Sequence, residues 1–267
     1  MNEILRLIAR NSRINVLKMT NRSKASHVGS SLSCIDILVT LYSKYKEQVV
    51  NCASEIDTIL VSKGHAAAAV YAILAELQLI DSSLIEKYCM NGSTLGGHVS
   101  HSASSHIPLS TGSLGHALPF GVGVAISKKK NGDKSLVNVV ISDGECDEGS
   151  NWEAALVASA FKLDNLRVYI DRNYLQSLES TESTIPLEPL GSKWRSFGWE
   201  VQHLNGHDLD LLQKSSQMKF ELPTVFICDT VKGYGVSFMQ NKVEWHYKSP
   251  NDFELEQAII EVKGSTN

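Results

Sequence analysis

An aspartate and an asparagine about thirty residues apart, Asp143 and Asn173, carry the most specific chemical possibility in this sequence. Asp143 stands in Ser142-Asp143-Gly144, directly after the apolar run Leu136–Ser142. Asn173 follows a second apolar run, Leu166–Asp171. Strand, acidic glycine turn, helix, strand and asparagine spell one βαβ unit. Both residues then fall just past the carboxyl ends of parallel strands, the edge of an open sheet where ligands bind. One carboxylate and one uncharged amide oxygen suit a Mg²⁺ ion that keeps other oxygens from a phosphate ligand. Gly144 leaves room for phosphate oxygens to approach the main chain. Taken alone, the same residues also fit an ordinary Asp-Gly turn and a surface asparagine.

Other chemistry-bearing residues are spread through the chain. His98, His101 and His106 lie in a polar stretch, Gly92–Gly115, rich in Gly, Ser and Thr. A structureless segment this long is either a working loop at a site or a mobile surface loop. The run Lys128–Lys130 precedes the turn Asn131-Gly132-Asp133 and reads as a solvated helix end that complements the dipole. Five scattered cysteines form no CxxC pair, which suits reduced thiols in a cytosol. A net charge of −4 argues against a nucleic-acid or acidic-lipid partner. The first residues lack the apolar core of a signal peptide, and no 18-residue apolar run follows. The expectation is a cytoplasmic protein with no membrane partner.

The elements that must position these residues alternate. Apolar bursts at Thr58–Ser62, Leu136–Ser142, Leu166–Asp171, Trp199–His203 and Thr224–Cys228 predict strands. Helical patterns fall at Asn2–Met19, Leu32–Lys46, Gly64–Gln78, Leu114–Lys130, Ser150–Lys162, Asp208–Lys219 and Phe253–Val262. This alternation predicts an α/β fold, a doubly wound and mostly parallel sheet with helices on both faces. With 43% hydrophobic residues the whole chain, 1–267, has material for one large core and reads as a single domain.

The run SDGECDEGSNWEAALVASAFKLDNLRVYIDRN resembles the thiamine-diphosphate signature of transketolases. The resemblance extends over nearly the whole chain, through SKGHAAAAVYAILAE, GGHVS, STGSLGHALPFGVGVA, TVKGYG and the Trp245-His246 pair. It implies the thiamine-diphosphate-binding fold, in its diphosphate-domain form. It also implies thiamine diphosphate as cofactor, with Mg²⁺ (or Ca²⁺ or Mn²⁺) held by the side chains of Asp143 and Asn173 and the carbonyl of Leu175. The same resemblance makes Gly112-Ser113-Leu114 a main-chain rest for the cofactor and brings His65 to its diphosphate. Lys63, Lys232 and His246 would line the channel, and His27 and His98 would contact substrate oxygens. Glu148 would join a carboxylate network across a subunit interface.

Departures and length shape the remaining expectation. Ser142 replaces the first Gly of the usual Gly-Asp-Gly, Ser26 and Val28 flank His27, and Tyr247 follows His246. The changes beside His27 and His246 face the presumed channel and put the ordinary sugar-phosphate substrate in doubt. Single-chain transketolases carry a second domain that grips the aminopyrimidine and supplies the glutamate that activates it, then a third domain. Here the chain stops at Asn267. The resemblance therefore implies one component of a split, α₂β₂ enzyme, active only with a chain carrying the pyrimidine-binding and C-terminal domains. The reaction implied is transfer of a two-carbon ketol unit from a ketose or ketose phosphate to an aldose-type acceptor. The α chain of a thiamine-dependent 2-oxo-acid dehydrogenase or decarboxylase, and a non-catalytic cofactor-binding regulator, are the alternatives.

Overall fold

The computed structural model describes residues 2–264. Five strands form its sheet: β1 (Thr58–Val61), β2 (Val137–Ser142), β3 (Leu166–Arg172), β4 (Glu200–Asn205) and β5 (Thr224–Asp229). They lie in the order β1-β2-β3-β5-β4, and every neighbouring pair is parallel. β2 and β3 are buried at every position, as parallel strands covered on both faces must be, which explains their unbroken apolar runs.

Among the described residues, ten α-helices surround the sheet: α1 (Asn2–Ser23), α2 (Val28–Ser33), α3 (Ile35–Val50), α4 (Ala67–Glu76), α5 (Ala117–Lys130), α6 (Gly149–Ala160), α7 (Thr181–Thr184), α8 (Leu190–Ser196), α9 (Leu209–Gln217) and α10 (Asp252–Gly264). The pleat gives the sheet two apolar faces. Val140, Tyr169 and Phe226 point into a core shared with Leu17 of α1, Leu38 of α3, Val70 of α4, Leu212 of α9 and Val262 of α10. Their neighbours Val139, Val168 and Val225 point into a second core with Val122 of α5, Ala155 of α6 and Trp194 of α8. This is the expected α/β architecture.

Local differences have physical reasons. The helix expected over Leu32–Lys46 is two helices, because the chain leaves helical geometry at Cys34 (φ −100°, ψ 4°). The segment Gly64–Ala66 is a 3₁₀ turn before α4 rather than its first turn. β4 runs to Asn205 at the sheet edge, with burial that alternates along it. β5 inserts between β3 and β4, a crossover that periodicity does not encode.

Candidate functional site

The site grows from the carboxyl ends of two adjacent strands. Ser142 of β2 pairs with Asp171 of β3, and the Asp143 N–H donates to the Asp171 carbonyl at 3.3 Å. Asp143 is therefore the first residue to leave β2, next to the point where Arg172 ends β3 and Asn173 follows. Tyr174 then adopts a left-handed backbone (φ 65°), uncommon for a side-chain-bearing residue and concentrated at functional sites. That turn aims the Tyr174 N–H at Asp143 Oδ2 (2.7 Å) and the Leu175 N–H at Asn173 Oδ1 (3.1 Å). Gly144 N–H donates to Asp143 Oδ1 at 2.8 Å. The two expected metal-ligand side chains are thus oriented by one shared main-chain turn.

Beneath them lies Asp171, a buried carboxylate that spacing did not single out. It pairs with the Lys63 ammonium and accepts from Ser33 Oγ (2.6 Å), Thr230 Oγ1 (2.5 Å) and Asn173 Nδ2 (3.2 Å). Burial works to raise its pKa, but Lys63 and these donors outweigh it and keep the carboxyl below its ordinary range. Lys63 is fully buried and also donates to the Ser30 carbonyl (3.1 Å). Burial opposes its charge, yet the Asp171 carboxylate holds its pKa above the usual lysine value. Lys63 lines the cleft with its charge already paired inward.

Asp143 behaves differently. Burial, then repulsion from Asp171, raises its pKa to about 6, against the opposing pull of Arg172, whose guanidinium lies 3.5 Å away. Among the described residues no cluster of three or more His, Cys, Asp or Glu could hold a metal ion by itself. The donors at hand are one carboxylate, one amide and a backbone carbonyl, which fit a hard cation completed by phosphate oxygens. A divalent cation would also relieve the cost of keeping Asp143 ionised in the interior. The residues present fit the expected cofactor and metal.

The opposite wall is a group of imidazoles. The His27 ring lies 5.4 Å from His65, 5.7 Å from His98 and 4.9 Å from His246, centroid to centroid, and His65 lies 5.8 Å from His246. His27 caps α2 in a left-handed conformation (φ 72°), and its N–H donates to the His246 carbonyl at 2.7 Å. Burial, then the charges of His98, Lys232 and Lys63, lowers the His27 pKa to about 4. Burial and Lys232 lower that of His246 to about 3, and burial followed by Lys63 takes His65 well below its usual value. These three imidazoles are neutral at pH 7. Lys232, buried behind them, donates to the Gln176 carbonyl (2.9 Å) and contacts His246 Nδ1 (3.2 Å). Burial and repulsion from Lys63 lower its pKa to about 8.

Between the two walls is a cleft of about 210 Å³. Of the residues singled out from the sequence, His27, Lys63, His65, His98, Gly112, Leu114, Asp143, Gly144, Asn173, Leu175 and His246 line it. Ser113 is exposed beside it, within the Gly112–Leu114 turn. Lys232 is one layer behind. Glu148 is exposed at the N-cap of α6, where its side chain makes no capping hydrogen bond. Gly144 does line the cleft, but a β-carbon there would lie 2.8 Å from Gln176 Cγ, so its first steric reason is a protein side chain. Ser30, Ser142, Gln176 and Ser177 also line the cleft and were not anticipated. Ser142 and Gln176 adjoin motif residues, the only available signal, and Ser30 and Ser177 had none. Three histidines outside the cleft have side-chain partners of their own: His101 with Ser110, His106 with Tyr45, and His207 with Asp36.

A parallel sheet whose carboxyl edge presents oriented oxygen atoms, buried ammonium groups and neutral imidazoles is an α/β arrangement suited to an anionic ligand. Residues 4–260 match the model of the transketolase thiamine diphosphate binding domain, and the chain belongs to that family. It is 38% identical to one of the subunits of the apulose-4-phosphate transketolase of Actinobacillus succinogenes, over 93% of this chain and 91% of that one. One of the 6-deoxy-6-sulfo-D-fructose transketolase subunits, from Clostridium sp. (strain MSTE9), is 34% identical, over 89% and 88%. Human transketolase is 31% identical over 97% of this chain, which spans only 42% of it. The crystal structure of Campylobacter jejuni transketolase superposes with a TM-score of 0.86 at 23% identity. That likeness covers 98% of this chain and 43% of that one, and it speaks to fold.

Proposed function

We propose that residues 1–267 act as one diphosphate- and metal-binding unit, the first of the subunits of a split transketolase-type enzyme. The observation that carries this reading is the meeting of Asp143 and Asn173 with His27, His65, His98 and His246 around one cleft at the carboxyl edge of β2 and β3. When bound, thiamine diphosphate supplies an electron sink for a two-carbon ketol fragment. Asp143, Asn173 and the Leu175 carbonyl are the groups we assign to Mg²⁺. His65 is assigned to the diphosphate, and the Gly112–Leu114 turn to the body of the cofactor. His27 and His246, held neutral, hold or move a proton at substrate hydroxyls. His98, on the exposed rim, donates to the oxygen that gains negative charge.

The donor class we assign is a ketose or ketose phosphate, with an aldose-type acceptor. The related subunits named for apulose 4-phosphate and 6-deoxy-6-sulfo-D-fructose favour a less common ketose. The partner we assign is a chain carrying the pyrimidine-binding and C-terminal domains, in an α₂β₂ assembly, with Glu148 facing it. This chain spans 91% of the Actinobacillus succinogenes apulose-4-phosphate transketolase subunit, against 42% of human transketolase, which supports the division into two chains. A cytoplasmic setting accords with five free cysteines. No helix of the described residues is long and apolar enough to cross a membrane.

Assaying the pure chain alone and mixed with its partner, with several ketose donors, tests the proposal. Ketol transfer is expected only in the mixture. Turnover by the isolated chain would sink the two-chain reading.

A further inference from the structure

Glu145 is fully buried, two residues after Asp143 in the short turn that Asp143 caps, and the site as described has no use for it. Its carboxylate accepts the Ser62 hydroxyl in a short contact and the Gly115 N–H at 2.8 Å, both on Oε1, and the Ser142 N–H at 3.2 Å on Oε2. Its own carbonyl accepts Asn151 Nδ2 at 2.7 Å, which anchors it to α6. The three donors to the carboxylate belong to three different segments around the cleft. Ser62 begins the turn that carries Lys63 and His65. Gly115 ends the Gly112–Leu114 turn. Ser142 precedes Asp143.

We propose that Glu145 is a positioning residue, a buried clamp that sets the spacing between the Lys63–His65 turn, the Gly112–Leu114 turn and Asp143. The inference rests on the thiamine-diphosphate reading above. Two further features make the joint stiff. Gly115 holds a left-handed backbone (φ 80°) in a packed setting, where a β-carbon would sit 2.5 Å from Ser150 Oγ. Gly64 packs so closely on the next loop that a β-carbon would sit 2.8 Å from the Gly112 nitrogen. The two turns therefore touch on one side and share one carboxylate on the other. All three carboxylate partners are placed as donors, and an acceptor-only group is what such a set requires.

Glu145→Gln keeps the size of the side chain but points an N–H₂ at one of these donors. Ser62→Ala removes one arm of the clamp and leaves the other two. The experiment is a titration of thiamine diphosphate with Mg²⁺ into the chain assembled with its partner, read by calorimetry beside the melting temperature without cofactor. Cofactor affinity is expected to fall on the order of tenfold to a hundredfold in Glu145→Gln, and less in Ser62→Ala. The double variant should lose less than the product of the two, because both act through one joint. A merely structural role would lower the melting temperature of both variants and leave the affinity of the folded protein unchanged, which would overturn the inference. Wild-type chain that binds no thiamine diphosphate would overturn the cofactor reading itself, and the clamp with it.

Discussion

Burial and nearby cations hold the imidazoles of His27, His65 and His246 neutral, and the fold enforces this at a cost. His27 faces His65, His98, His246, Lys63 and Lys232, and its pKa falls to about 4; that of His246 falls to about 3. In the unfolded chain each returns to its usual 6.5. Between about pH 6.5 and pH 4 the unfolded chain thus binds protons that the folded chain refuses. By linkage, stability rises with pH across this window and is lost as pH falls through it. Urea unfolding from about pH 7.5 to about pH 4.5 should show that decline, and His27→Gln should flatten it. A slope unchanged by His27→Gln would mean that other groups carry the acid sensitivity.

Roles within the cluster separate by what each ring faces. If His98 and His246 act on substrate oxygens, changing either to Ala should leave cofactor affinity nearly intact. Turnover should fall by about 10²–10⁴-fold, the usual contribution of general acid–base catalysis. His65→Ala should lose affinity together with rate. Stability, cofactor affinity and kcat measured on the same three variants decide between these roles and simple packing. Near-normal kcat in His98→Ala and His246→Ala would refute the substrate-side assignment.

At the scale of elements, the contact between the Gly64 turn and the Gly112 turn is the most sensitive joint. Gly64→Ala drives a β-carbon into the main chain of Thr111 and Gly112, atoms that have no rotamer in which to escape. About 1–3 kcal/mol of destabilisation is expected, as for overpacked interiors. Gly123→Ala is the control, because nothing lies within 4 Å of its added methyl group in α5. It should stabilise by roughly 0.5–1 kcal/mol through helix propensity. Paired thermal melts distinguish the two outcomes.

Elements were also where the sequence was most and least informative. Strands buried on both faces, such as Val137–Ser142 and Leu166–Arg172, announce themselves as apolar runs bounded by polar turns. Their carboxyl ends then place Asp143 and Asn173 by topology alone. Asp171 and Glu145 were not legible, because an acidic residue inside a strand end or a short turn has no periodic signature. Their importance comes from partners on distant segments, Lys63 and Thr230 for one, Ser62 and Gly115 for the other. The long polar stretch before Gly115 was readable as unusual. That it folds back so that the Val99 N–H meets the Gly64 carbonyl at 2.9 Å was not.

At the scale of the whole molecule, the cleft is closed by segments from opposite ends of the chain. The His27 N–H meets the His246 carbonyl, and Gly233 N–H meets the Gly29 carbonyl at 3.0 Å. Asn21 Nδ2 reaches the Pro250 carbonyl, also at 3.0 Å. Gly29 lies so close to Trp245 that its β-carbon would stand 3.2 Å from the Trp245 carbonyl oxygen. During synthesis the first of these segments emerges early and waits for nearly all the rest. Contacts of such long sequence separation form slowly, since the loop between them must be closed before they contribute. The binding site is then a late product of folding. Thiamine diphosphate can stabilise the finished chain by mass action, but it cannot guide the nascent one. A chain released before Val243 should collapse around its sheet and still fail to protect its amides when cofactor is added. Hydrogen exchange on such a fragment, beside the full chain, would time the moment at which this protein becomes able to recognise its ligand.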